Sequence, residues 1–260
     1  MPPLVPPYPL IYLPADDSGY RHVNAALLYA LIAAGANLAG GLVITTANPG
    51  GRTTQRLLIA FGAGFMLAVA LLAMLPHAME QNASAAVTVL LGYLLVHLTQ
   101  HVLTPHFHFG EETHPEAMIG RWVGLAALGG LLLHTFFDGV AIASGFGVSQ
   151  SLGGLVFMAI FLHKIPEGVT VASIMLASGN GRRGALGSVL LLGVFTLLGV
   201  MLTAQVASLR HHGLALSAGV TLYVAASNLI PETQREGSWP VATAVFLGVV
   251  SFWGTRALLL

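Results

Sequence analysis

Two short segments of an otherwise apolar chain hold the residues best equipped for chemistry. They are His-Thr-Phe-Phe-Asp-Gly at 134–139 and His-Lys-Ile-Pro-Glu-Gly at 163–168. Both read His-x-x-x-acid-Gly. On a helix, positions i and i+4 lie one above the other on one face, about 5–6 Å apart at Cβ. Each segment therefore presents an imidazole and a carboxylate in the same direction. A break at 148–151 allows two antiparallel helices, which would bring His134, Asp138, His163 and Glu167 to one point. Two imidazole nitrogens and two carboxylate oxygens suit Zn2+ or a similar transition metal. A single buried His or acid is as readily a structural residue tied to a hydroxyl or a carbonyl. Two matched pairs on consecutive segments favour the metal.

The elements that must position these pairs follow from composition. Of 260 residues, 55% are hydrophobic and 8% are charged, against roughly 25% charged in a soluble domain. The mean hydropathy is +0.80. Apolar runs long enough to cross ~30 Å of hydrocarbon lie at about 23–46, 57–79, 84–103, 122–147, 152–178, 185–207, 213–231 and 238–258. The expected fold is all-α, a polytopic membrane protein with eight transmembrane helices in one domain spanning 1–260. Residues 1–22, rich in proline and without a basic start, are expected to be an extended extracytoplasmic arm rather than a signal peptide. The stretch 104–121 is the one break long enough to be more than a turn. With the N-terminus outside, inner loops hold Arg52, Arg56, Arg121, Arg182, Arg183 and Arg235, and outer segments hold Arg21, Arg210 and Arg256. That bias favours both termini outside and 104–121 in the cytoplasm. A formal net charge of zero offers no field for nucleic acid. The absence of cysteine removes disulfides and thiolate chemistry.

Charge within the spans is the anomaly. An ionisable side chain at mid-bilayer costs at least ~2.5–3.5 kcal/mol on insertion scales and usually lines a pathway or binds something. Asp138, Lys164 and Glu167 all fall in spans four and five. Pro166 lacks an amide hydrogen, leaves the carbonyl of Leu162 without its helical partner and is expected to kink span five. Broken helices at this depth commonly mark transport sites. Gly139 and Gly168 follow the two acids and would let a neighbouring helix come close.

At these motifs the chain resembles the ZIP (Zrt/Irt-like) family of divalent-metal transporters. The likeness extends to GAGFMLAVALLAMLPHAME (62–80) and AGVTLYVAASNLIPE (218–232). The resemblance implies eight spans, both termini outside, a His-bearing cytoplasmic loop after span three and metal ligands in spans four and five. Carried over by position, His134, Asp138, His163 and Glu167 are the ligands. Two positions depart from the pattern. Family members with a two-metal site commonly carry Asn after the first His and an acid or amide after the second, where this chain has Thr135 and Lys164. An ammonium cannot ligate a metal and repels a second divalent ion ~4 Å away. One membrane site is therefore expected, with Lys164 supplying the charge of a second ion unless it snorkels away from the site. Asp138, Glu167 and Lys164 sum to −1 when ionised; one divalent ion makes +1, and two would make +3.

The remaining histidines are weaker signals. His97 and His101 share a helix face, and His106, His108 and His114 follow beside Glu111 and Glu112, an auxiliary metal-holding loop or a solvated one. His77 with Glu80 reads as an interfacial cap or an outer metal-collecting pair, Glu232 as a cap or an exit residue, and His22, His211 and His212 as interfacial. The expected function is transport of divalent transition-metal ions toward the cytoplasm, zinc first, with Fe2+, Mn2+, Co2+ and Cd2+ also admitted by such ligands. The chain is not expected to be an enzyme. A zinc-dependent intramembrane hydrolase is the alternative, but no HExxH helix and no spare general base is present. A metal-free proton or solute carrier using Asp138, Lys164 and Glu167 is the other. Expected partners are the ion and the lipid bilayer, with a homodimer the protein assembly considered, in a bacterial inner (plasma) membrane.

Overall fold

In the computed structural model, the described residues are 17–46, 52–102, 121–231 and 239–259, with side chains described for 23–46, 56–100, 124–231 and 239–259. Among them there is no strand, and eight helical rods correspond one for one to the eight apolar runs. These are α1 (Asp17–Thr46), α2 (Arg52–Val69, continued through Ala70–Met74 and Leu75–Gln81), α3 (Ala85–Val102) and α4 (Arg121–Val148). Then follow α5 (Gln150–Ala177), α6 (Gly181–Gln205), α7 (Ala207–Tyr223, continued through Val224–Leu229) and α8 (Trp239–Leu259). Among the described residues, six stretches are long and apolar enough to cross a membrane: Val23–Thr46, Arg56–Gln81, Gly124–Val148, Gln150–Ala177, Gly181–Gln205 and Trp239–Leu259. The chain is an all-α polytopic membrane protein. α1 is helical from Asp17, inside the stretch expected to be an extended arm. The loop 104–121, and with it His106, His108 and His114, lies outside the described residues, as do Glu232 and the side chains of His22 and His101.

Short, well-defined breaks set the helices side by side. Ser149 ends α4 in extended backbone, and its hydroxyl accepts from the amide of Leu152 to cap α5. Gly179 (φ 78°) and Gly181 (φ 68°) supply the left-handed backbone between α5 and α6. Arg210 donates to the carbonyl of Ala204, covering an orphan acceptor at the end of α6.

Without a hydrophobic force between helices in lipid, packing relies on small residues that let backbones approach. α4 and α5 pack on each other, α6 packs on α4, and α1 packs on α5 and α6. A Cβ at Gly139 would overlap the carbonyl oxygen of Thr196, and one at Gly199 would overlap that of Phe136, so this reciprocal pair closes α4 onto α6. Gly40 and Gly168 do the same for α1 and α5, against the carbonyls of Ile165 and Asn37. The glycines after both acids thus admit a neighbouring helix. α2 pairs with α8 and α3 with α7, outside this inner group.

Proline acts differently in three helices. The π segments of α2 and α7 end two residues before Pro76 and Pro231. There Leu75 bonds the carbonyl of Ala70 and Ile230 that of Ala225, a shift of five residues. Around Pro166, α5 is helical without interruption from Gln150 to Ala177, with the proline inside the helix. Proline removes one ladder bond, and the freed carbonyl of Leu162 lies against Gly62 of α2.

Candidate metal centre

The two motif-bearing helices meet where α1 also touches them, and the sequence-predicted residues gather there. His134, Asp138 and His163 are each 2% exposed, and Lys164 and Glu167 are 0% exposed. Asp138 Oδ2 is the hub. His134 Nε2 stands 3.4 Å from it and His163 Nε2 3.5 Å. One ligand atom from each of these three residues lies within 4.8 Å of the others. Among the described residues this is the one group of three or more His, Asp or Glu so placed. In a zinc site with bonds of ~2.0–2.1 Å, neighbouring tetrahedral ligands are about 3.4 Å apart. The two nitrogen-to-oxygen spacings already have that value.

The tautomer of His163 is fixed by its own helix. Nδ1 lies 3.0 Å from the carbonyl of Ala159, which can only accept, so Nδ1 carries the hydrogen. The lone pair of Nε2 then faces Asp138. Such an outer bond is the usual support of a metal-ligating imidazole.

Lys164 does not snorkel. Its ammonium donates to Asp138 Oδ2 at 2.6 Å and also to Glu167 Oε2, bridging the two carboxylates. It lies 3.4 Å from Thr135 Oγ1. Thr135 in turn donates to Glu167 Oε1 at 2.7 Å. The two expected His/acid pairs therefore behave unequally. On α4, His134 and Asp138 face each other as the i, i+4 rule requires. On α5, His163 turns to Asp138 while Glu167 turns to Lys164, Thr135 and α1, and it stands outside the group of three.

The residue that sequence reasoning missed is Asn37 of α1, 0% exposed, whose Nδ2 donates to Glu167 Oε2 at 3.3 Å. The signal was present. Ala26, Ala30, Ala33, Asn37 and Gly40 recur at helical spacing and are all buried, a small-residue stripe interrupted by one amide.

The weaker candidates lie apart from this cluster. His77 bonds the carbonyl of Ala73 in its own helix at 2.8 Å. His97 packs edge-on to Tyr223, with ring centroids 5.9 Å apart. His212 contacts Asn82 at 3.3 Å and stacks edge-on with His211.

A polytopic helical bundle with histidine, carboxylate and ammonium groups sealed in its interior is the architecture of a membrane protein that handles ions. The model of a known family, described as ZIP Zinc transporter, matches residues 111–255. That is more than half of the chain and includes both motifs. The chain belongs to the ZIP zinc transporter family. It is 30% identical over 168 residues to Zinc transporter ZIP9-B of Xenopus laevis, covering 60% of this chain and 55% of that protein. It is 30% identical over 174 residues to Zinc transporter ZIP9 of Micropogonias undulatus, covering 62% and 56%. Against Zinc transporter SLC39A7 of Homo sapiens it is 33% identical over 139 residues, covering 49% and 29%. The chain thus spans just over half the length of the ZIP9 relatives. These relatives are vertebrate proteins and lend no support to the bacterial membrane expected above.

Proposed function

We propose that this protein carries divalent transition-metal ions, zinc first, across the membrane toward the cytoplasm through a single site between α4 and α5. The observation that carries the proposal is the trio His134, Asp138 and His163: buried, drawn from consecutive spans, and with nitrogen-to-oxygen spacings of 3.4 and 3.5 Å. Its relatives' names, zinc transporters all, agree with it.

In this reading the ion is ligated by His134 Nε2, His163 Nε2 and Asp138. Glu167, the fourth ligand expected from the sequence, remains the proposed fourth ligand and is also the partner of Lys164. Lys164 and Thr135 occupy the space of a second ion: the ammonium bridges two carboxylates, as a second divalent ion would, and leaves the site at −1 before loading. One ion brings it to +1. The excess of arginine on one side of the membrane supports both termini outside and loading from that side. Fe2+, Mn2+, Co2+ and Cd2+ are the competitors that such ligands admit.

The test is uptake by vesicles containing the purified chain, across a panel of these five ions. Zinc uptake by the wild type, abolished in His134→Ala, is expected. A wild type that accumulates none of the five would end the proposal.

A further inference from the structure

α1 reaches the metal centre through one side chain. Asn37 is fully buried, and its Nδ2 donates to Glu167 Oε2 at 3.3 Å. An ionised carboxylate can only accept, so the amide must turn its nitrogen to Glu167 and leave its oxygen over. That oxygen, Oδ1, has no hydrogen-bond partner among the described residues. A buried amide oxygen left unbonded is expensive in an apolar interior. Its place is closely defined: a Cβ on residue 168 would come within 2.8 Å of Oδ1, and only glycine there lets α1 approach so near. Lys164 stands one turn before Gly168 on the same face of α5, by the i, i+4 rule. Its ammonium shares Glu167 Oε2 with the Asn37 amide. A buried cation and an unused acceptor thus meet around a single oxygen atom.

Loading the site creates a need for that acceptor. The ammonium bridges Asp138 Oδ2, at 2.6 Å, and Glu167 Oε2. An ion ligated by Asp138 and Glu167 together with the two histidines takes lone pairs from both carboxylates and repels the ammonium. Lys164 is 0% exposed, so its charge cannot be handed to solvent and must find another partner inside. We propose that Asn37 is a positioning residue that acts through Lys164: when the ion enters, the ammonium leaves Asp138 for Asn37 Oδ1, keeps one oxygen of Glu167, and so clears the ion's place. The inference rests on the metal-transport reading above. Half a turn of the amide about its last side-chain bond presents Oδ1 to the ammonium, and the bond given up is the long one to Glu167. A neutral amide suits the task, because it accepts from an ammonium without offering the ion a competing charge. Asn37 lies outside residues 111–255, so the family match does not bear on it.

Thermodynamic linkage gives the sign. A contact made in the loaded state and absent from the empty one favours loading, so removing it must weaken binding. A hydrogen bond from a charged donor, less the long bond it replaces, corresponds to about tenfold in Kd.

The experiment titrates Zn2+ into the purified full chain, with His106, His108 and His114 substituted to remove loop binding, by competition with a chelating dye. Asn37→Leu should bind Zn2+ about tenfold more weakly. Asn37→Ala takes its place if the leucine variant does not insert. In a Lys164→Met background, Asn37→Leu should no longer weaken binding, because no ammonium remains to be relocated. That arm separates the proposal from a merely structural role and from a role in orienting Glu167, either of which weakens binding in both backgrounds. An unchanged or tighter Kd in the Asn37 variant overturns the proposal, as does a weakening that persists undiminished with Lys164→Met. A wild type that binds no Zn2+ overturns the transport reading and this inference together.

Discussion

Replacing Lys164 by methionine removes the one cation that touches the proposed ligand Asp138 through 2.6 Å. A carboxylate oxygen holds zinc at ~2.0–2.2 Å, so an ion on Asp138 Oδ2 can lie no farther than about 5 Å from the ammonium. At an effective dielectric of ~20, a single and a double positive charge at that distance repel by about 7 kcal/mol. Lys164 relieves part of this by withdrawing to Glu167, the second carboxylate it already contacts. If a fifth of the repulsion survives in the wild type, its removal tightens binding about tenfold. Lys164→Met should therefore bind Zn2+ at least about tenfold more tightly and turn over more slowly, since most affinity changes at one site appear in the off-rate. The ion-free variant should also be less stable. Two buried carboxylates lose their shared partner, a change that typically costs about 3–5 kcal/mol, and bound metal should restore much of it. The assays are dye-competition binding, vesicle uptake and thermal unfolding with and without Zn2+. A Kd equal to or weaker than the wild type's would refute the reasoning, because the ammonium would then not oppose the ion.

Three further outcomes follow from the same geometry. Each of His134→Ala, Asp138→Ala and His163→Ala should abolish stoichiometric Zn2+ binding while the protein still inserts; retained binding in any two would dissolve the shared site. Lys164→Glu should raise the ion count per chain from one to two, measured on protein lacking the loop histidines; two ions in the wild type would remove the one-ion reading. Gly168→Ala should cost about 1–3 kcal/mol of stability, since its Cβ would overlap the carbonyl of Asn37. Gly187→Ala, on a helix and with nothing within 4 Å of the added methyl, should be neutral or stabilising by up to about 1 kcal/mol; thermal unfolding distinguishes the two.

Much of the fold was legible because the bilayer reduces it to a one-dimensional problem. Chain polar groups must bond within their own helix, so long apolar runs become rods wherever they occur. The eight runs and the eight rods agree closely; the run at 84–103, for example, is the helix Ala85–Val102. The His134–Asp138 pair was legible for the same reason, since both residues belong to one turn-related face of one helix. What proline does within a span was less legible: α5 runs on through Pro166, whereas π segments precede Pro76 and Pro231.

What the sequence by itself determined is thus what helical periodicity determines: the run of helices, the positions of charge within them, and which residues share a face. Only the tertiary structure decided which partners those charges choose. His163 and Glu167 are four residues apart on one helix, yet one faces Asp138 and the other faces Lys164, Thr135 and Asn37. That division depends on the rotation and depth at which α1 and α4 meet α5. These are set by backbone contacts at Gly40 and Gly168 and by the short turn at Ser149, between residues far apart in the chain. The ammonium of Lys164 meets Glu167 by i, i+3 spacing on its own helix, but it meets Asp138 only because packing brings α4 alongside. It goes to whichever charges the packed helices bring within reach, because in a low dielectric every one of them must be paired.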